Sequence, residues 1–443
     1  MAAQKTTEEV LAKRAERGED VLQDGVEAGA IAKKRSRAAV ILAAMGPGII
    51  TAMAGNDAGG IATYSTVGAE FGFKALWILP IMCVLLVVVQ LTAGRMGAAT
   101  GKGFAALIRE RFGIRPTALA MLALLVGNIA TCFSQFAGIA AGCGMFGIPT
   151  WVSVLASAVA VWLLVSGGNY QRVERIFLII SLVFVTYIVA AFMANPDWPD
   201  ALLSTVTPQI VQSQNFVSLT ISTIGTTIAP WMMFYAQSNI VEKGTGTGGD
   251  DLLAIRVDAA SGSIAAIIVA WFIIVTTGAV LYPAGIHVES AADAAAALVP
   301  FAGEYAQALF AIGLVGASFL AACVLPLTSS FVVCEAFGWE AGVEFSFKEA
   351  PIFKGLMTGI IAFSAVIALI PGLDLMAVMI LAQFINGVIL PILLAFMAII
   401  ACDKHIMKEH VSGPATRVAL WLLVGIVAML TVVLLVMQAL GLA

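Results

Sequence analysis

Apolar residues run along this chain in long blocks, separated by short polar connections. Blocks of spanning length fall near residues 38–69, 75–97, 115–141, 150–166, 174–194, 214–241, 257–282, 304–334, 355–371, 374–401 and 416–441. A bilayer core takes about 20 apolar helical residues, so the pattern predicts an all-α polytopic membrane protein with eleven transmembrane helices. Residues 1–37 are polar. They read as a solvated cytoplasmic tail, with a charged helix as the alternative, and not as a secretory signal. The transporter-sized membrane domain is placed at 38–441.

Two blocks are interrupted in the middle. The first reads GPGIITAMAGNDAGGIATYSTVGAEFGF, broken at AGNDAGG, and the sixth reads LTISTIGTTIAPWMMFYAQSNIVEKG, broken around Pro230. Five spans separate them, so they cross in opposite directions. That is the pattern of a 5+5 inverted repeat, here about 38–194 and about 214–401, with an eleventh helix at about 416–441. Matched breaks point to a substrate site at the midplane. Irregular backbone at membrane depth is tolerated only where protein or a wet cavity satisfies it. Its freed carbonyls, with the negative end of a half-helix dipole, attract cations. Gly55, Gly59 and Gly60 permit the first turn, and Pro230 removes a donor in the sixth span. Asp57 adds a full charge, which inside a membrane is a functional hypothesis by default. A bound cation is its most economical partner; the alternative is a protonated Asp57 in a structural turn.

Composition narrows the class. The chain of 443 residues is 60% hydrophobic and 11% charged, against about 25% charged in soluble domains. Its mean hydropathy is +0.99. No basic patch interleaved with aromatics points to nucleic acid. The six cysteines form no CxxC or Cys/His cluster and read as small buried apolar residues. No nucleophile–base set or HExxH segment argues for an enzyme. Lysine and arginine fall almost entirely on one side, from Lys33, Lys34, Arg35 and Arg37 through Arg109, Arg111, Lys243 and Arg256 to Lys404 and Arg417, with Lys74 alone opposite. The positive-inside rule then puts the N-terminus in the cytoplasm and the C-terminus outside a cell membrane.

The segments GPGIITAMAGNDAGGIATYSTVGAEFGFKALW, IGTTIAPWMMFYAQSNIV and LAQFINGVILPILLAFM resemble the first, sixth and tenth spans of the NRAMP divalent-metal transporters. The resemblance covers roughly residues 38–440. It implies a LeuT-like fold with a metal site between spans one and six. The family aspartate falls on Asp57, its next proline on Ala58 and its metal-binding asparagine on Gly60. In span six the family methionine falls on Ala229, its proline on Pro230 and its histidine on Trp231. Carbonyl ligands are implied at Ala54 and Thr226. The metal set expected on this basis is Asp57, Ala54, Thr226, Gly60 and Ala229.

The departures change the expected ion. A thioether favours soft and borderline metals, and Ala229 lacks it. What remains is one carboxylate and neutral oxygens in a roomier site, which suits a partly hydrated Mg2+. The chain therefore resembles the NRAMP-related magnesium transporter branch. The bland alternative is a drifted, dead site. Family acids on span three align with Cys132 and Gln135, and no Asp, Glu, Lys, Arg or His lies between Thr117 and Gln171. Without a titratable chain the expectation is an uncoupled uniporter importing Mg2+, and Mn2+ as a second substrate, by alternating access. The membrane potential is worth about 2.3 kcal/mol per charge per 100 mV, and a divalent ion gains twice that. The alternatives are a proton-coupled Mn2+/Fe2+ carrier and an organic-solute or amino-acid carrier on the same fold. A non-transporting metal sensor stays open, although no signalling domain is attached.

Further polar positions are expected near the pathway. Gln383 and Asn386 share a face of span ten and bind a metal-held water or bond between helices. Gln237 and Asn239 are placed on the inner path, Asn56 on a hydration water or as a helix cap, and Trp231 as a gate or a space-filler. The partners expected are the divalent cation and the lipid bilayer, with no resident cofactor, and the protein is expected to be a monomer.

Overall fold

The computed structural model describes residues 56–166, 186–343 and 345–439. Fourteen longer helices organise it: α1 (Ala58–Phe71), α2 (Ile78–Thr100), α3 (Phe104–Phe112), α4 (Ile114–Gly144), α5 (Thr150–Ser166), α6 (Thr186–Ala194), α7 (Trp198–Val206), α8 (Gln214–Thr227), α9 (Pro230–Glu242), α10 (Gly249–Ala284), α11 (Ala306–Phe337), α12 (Pro351–Ala368), α13 (Leu375–Ala401) and α14 (Pro414–Ala439). Among the described residues, eight helices or broken helices are long and apolar enough to cross a membrane. The other predicted spans correspond to α5, to α1 as the second half of span one, and to α6 as the end of span five. The rest of spans one and five lies outside the described residues.

Side chains sort by environment as a bilayer protein requires. Leu119, Leu122 and Val126 on α4, and Trp151, Leu155, Val159 and Leu163 on α5, are exposed at helical spacing. Such stripes face lipid. The opposite faces close the core, where α4 packs most extensively against α11 and α13, α1 against α10, and α8 against α13. At the α8–α13 crossing a methyl on Gly225 would collide with the Gln383 carbonyl oxygen and the Gly387 nitrogen. Only glycine allows two backbones that close.

Helix ends follow their sequences. Ser213 caps α8 by accepting from Phe216 N at 3.1 Å, and Asp374 caps α13 by accepting from Ala377 N at 3.0 Å. Span seven starts earlier than its apolar run predicts, at Gly249, because Asp250 and Asp251 occupy its first turn. There they complement the helix dipole. The short helices α3 and α7 were not legible as spans: α3 carries Arg109 and Arg111 in its last turn.

Candidate metal centre

The site is built on the two breaks. Asn56 and Asp57 are non-helical, and α1 begins at Ala58. Asp57 caps it: Oδ1 accepts from Gly60 N at 2.8 Å. The cap is therefore Asp57 rather than the expected Asn56, which is 2% exposed. In span six, α8 stops at Thr227, Ile228 and Ala229 are extended, and Pro230 opens α9. The helical partner of the Thr226 carbonyl would be the N–H of residue 230, and proline has none. That carbonyl stands at the end of a half-helix, where the dipole is negative. The two breaks lie side by side, since the Tyr64 hydroxyl on α1 meets Thr227 Oγ1 on α8 at 2.9 Å. Thr227 spends its own proton on the Thr223 carbonyl at 2.6 Å, so Tyr64 is the donor.

Asp57 is 5% exposed. Its neighbours are neutral. Gln135 Nε2 on α4 donates to Oδ2 at 2.8 Å, and Gln383 Nε2 on α13 donates to Oδ1 at 3.4 Å. Gln135 also accepts from Ala58 N through Oε1 at 3.2 Å, so one amide holds both the carboxylate and the first N–H of α1. The described ion pairs are Lys102–Glu110, Arg111–Asp403 and His287–Glu70, and none includes Asp57. Neutral hydrogen bonds lower the cost of burying a carboxylate but do not cancel its charge. A cation would.

Oxygen atoms dominate around the carboxylate. Asn386 Nδ2 donates to Gln383 Oε1 at 3.1 Å and to Thr131 Oγ1 at 2.7 Å. Asn386 Oδ1 and Thr226 Oγ1 are buried without a partner. Among the described residues no three His, Cys, Asp or Glu side chains come together as a metal cluster. An ion at Asp57 must therefore be held by one carboxylate with neutral oxygens and water.

The other expected site residues are distributed as follows. Gly60 faces Asp57 through its N–H. Ala229 is 4% exposed, and its carbonyl accepts from Met232 N at 3.0 Å. Trp231 is 3% exposed and meets the Tyr235 ring edge-on at 6.1 Å, which fits the space-filling alternative. Gln237 does not line the inner cavity expected for it. Its amide donates to the Lys102 carbonyl at 2.8 Å and ties α9 to the connection before α3. Asn239 does line a cavity, between α2, α9 and α10. Ala54 lies outside the described residues. Gln135 is the contact that residue-by-residue reading left unassigned; its signal was a lone amide in an otherwise uncharged span.

A family model described as natural resistance-associated macrophage protein-like matches residues 48–437. The chain belongs to the NRAMP family. A divalent metal cation transporter MntH from Verminephrobacter eiseniae is 24% identical over 390 residues, 85% of each chain. Another from Yersinia pestis is 27% identical over 408 residues, 89% of this chain and 95% of that one. The manganese transporter of Eremococcus coleocola superposes with a TM-score of 0.70 at 19% identity, covering 89% of this chain and 86% of that one. Mhp1, a nucleobase-cation-symport-1 family transporter, superposes at 0.59 with 13% identity, covering 84% and 80%. These likenesses establish the LeuT-like fold that the broken spans predicted. This NRAMP chain is a multi-pass membrane protein.

Proposed function

We propose that this protein carries a divalent metal cation across the cell membrane by alternating access, with Asp57 as the ligand that holds the ion. The carrying observation is the buried Asp57 carboxylate at the break, met only by the Gly60 N–H and the amides of Gln135 and Gln383. The Thr226 carbonyl, left by Pro230, supplies a second oxygen, and Ala54 a third by family resemblance.

The donor set supports Mg2+ as substrate, with Mn2+ accepted. Ala229 stands where the family has a thioether, and hard oxygen ligands with retained water suit Mg2+. Gln135 and Trp231 stand where the family has titratable groups, which supports uniport. The protein works as a monomer with its N-terminus in the cytoplasm, and the ion enters down its gradient and the membrane potential.

A second reading, proton-coupled Mn2+ transport, is favoured by the relatives, which are named as divalent metal cation and manganese transporters. They support it better than they support magnesium. Liposome uptake separates the two, with Mg2+ and Mn2+ reporters read beside an internal pH reporter. Mg2+ entry without acidification supports the uniporter. Mn2+ entry with acidification and no Mg2+ entry supports the second reading.

A further inference from the structure

A cavity of about 50 Å3 lies between α2, α9 and α10. It runs along α9 away from the break. Met232, Tyr235 and Asn239 line it and recur at three- and four-residue steps, so they share one face of that half-helix. The opposite wall brings Gln90 from α2 and Asp258 and Ser263 from α10. Asn239 and Asp258 each sit nine residues from the start of their helices, or about 14 Å at 1.5 Å per residue. The cavity thus lies between the Asp57 site and the helix ends that carry Lys243 and Arg256.

Two features fit a cation there. Asp258 supplies a carboxylate on a membrane-crossing helix, and ionisable residues in such places mark ion pathways. Ser263 is 3% exposed, lines the cavity, and its hydroxyl has no hydrogen-bond partner. A water takes about 10–15 Å3 of such space, so the cavity admits an ion with a few waters. One carboxylate, two amides and a hydroxyl repeat the chemistry of the Asp57 site.

We propose that Asp258, with Gln90, Asn239 and Ser263, forms a second, weaker site for a partly hydrated divalent cation, occupied between the Asp57 site and the side bearing Lys243 and Arg256. The proposal rests on the divalent-cation reading above. The Asp57 site is all but sealed from solvent, and an ion leaving it along α9 meets this cavity next.

The test counts Mn2+ bound to the full chain in nanodiscs from the loss of the free Mn2+ paramagnetic resonance signal. Wild type is expected to bind two ions of unequal affinity. Asp57→Ala retains only the weaker, Asp258→Asn only the stronger, and the double variant neither. Asn239→Ala, a milder change, weakens the second site by about tenfold, the effect typical of a supporting ligand. Thermal unfolding checks that each variant is folded. If Asp258→Asn and Asn239→Ala both leave two sites at wild-type affinity, this proposal is wrong while the Asp57 reading stands. Loss of all binding on Asp57→Ala alone also overturns the second site. If folded wild type binds no divalent ion, both readings fail.

Discussion

Replacing Gly225 with alanine drives a methyl group into the tightest helix crossing beside the metal centre. The added carbon would meet the Gln383 carbonyl oxygen, the Gly387 nitrogen and, at 2.9 Å, the Gly387 Cα. All are backbone atoms, so no side chain can swing aside. Carbon atoms rest about 3.5–4.0 Å apart, so α8 and α13 must part by roughly 0.6–1.1 Å. Overpacking of this kind costs about 1–3 kcal/mol. At roughly 2–4 °C per kcal/mol for chains of 150–250 residues, the unfolding midpoint falls by several degrees. Gly225 precedes Thr226 and its crossing partner is the backbone of Gln383, so cation uptake should fall as well. Gly355→Ala on α12 is the matched control, because nothing lies within 4 Å of its added carbon. Its midpoint should hold or rise slightly, since alanine outranks glycine in a helix. Thermal unfolding in detergent and liposome uptake on both variants are the assays. A Gly225→Ala protein that unfolds and transports like wild type shows that the crossing is not tight.

Other outcomes follow from the same geometry. Gln135→Leu strands Asp57 Oδ2 and the Ala58 N–H, and a buried bond to a charged group is worth about 1.5–3 kcal/mol; denaturation of the ion-free protein should show a loss of that order, and an unchanged midpoint counts against the bond. Ala229→Met adds a soft ligand at the break, so competition uptake should shift toward Mn2+ and Cd2+ over Mg2+; an unchanged ratio removes Ala229 from the site. His287 sits in the connection after α10 and bonds Glu70 at 2.5 Å, and this bond and the Glu70 charge raise its pKa above 6.5. A raised histidine stabilises the fold fully below its unfolded value and loses that stabilisation as pH rises through the folded value. The stability gap between wild type and His287→Gln should therefore close as pH climbs above 6.5; a gap that widens reverses the assignment.

Much of this was written in the chain. Apolar block length gave the spans, because a bilayer imposes one length on every crossing helix. Thr150–Ser166 appears as one helix with the bounds its apolar run predicts. The breaks announced themselves because glycine and proline act locally. What stayed hidden depends on which helix faces which. Gln135 reads as one amide in an apolar span, and only the packing of α1 against α4 shows it gripping Asp57. Gln237 and Asn239 are two residues apart and equally polar, yet one braces the connection before α3 and the other faces the inner cavity. A two-residue step turns a helix by more than half a circle, so equal polarity gave them unequal roles.

The most direct measurement of where the ion sits is anomalous diffraction at the manganese edge from crystals grown with Mn2+, for wild type and Asp57→Asn. One strong peak touching the Asp57 carboxylate and the Thr226 carbonyl, lost in Asp57→Asn, is the expected result. A peak that survives that substitution, or a wild-type site with no contact to Asp57, contradicts the assignment of the transported ion to the broken helices.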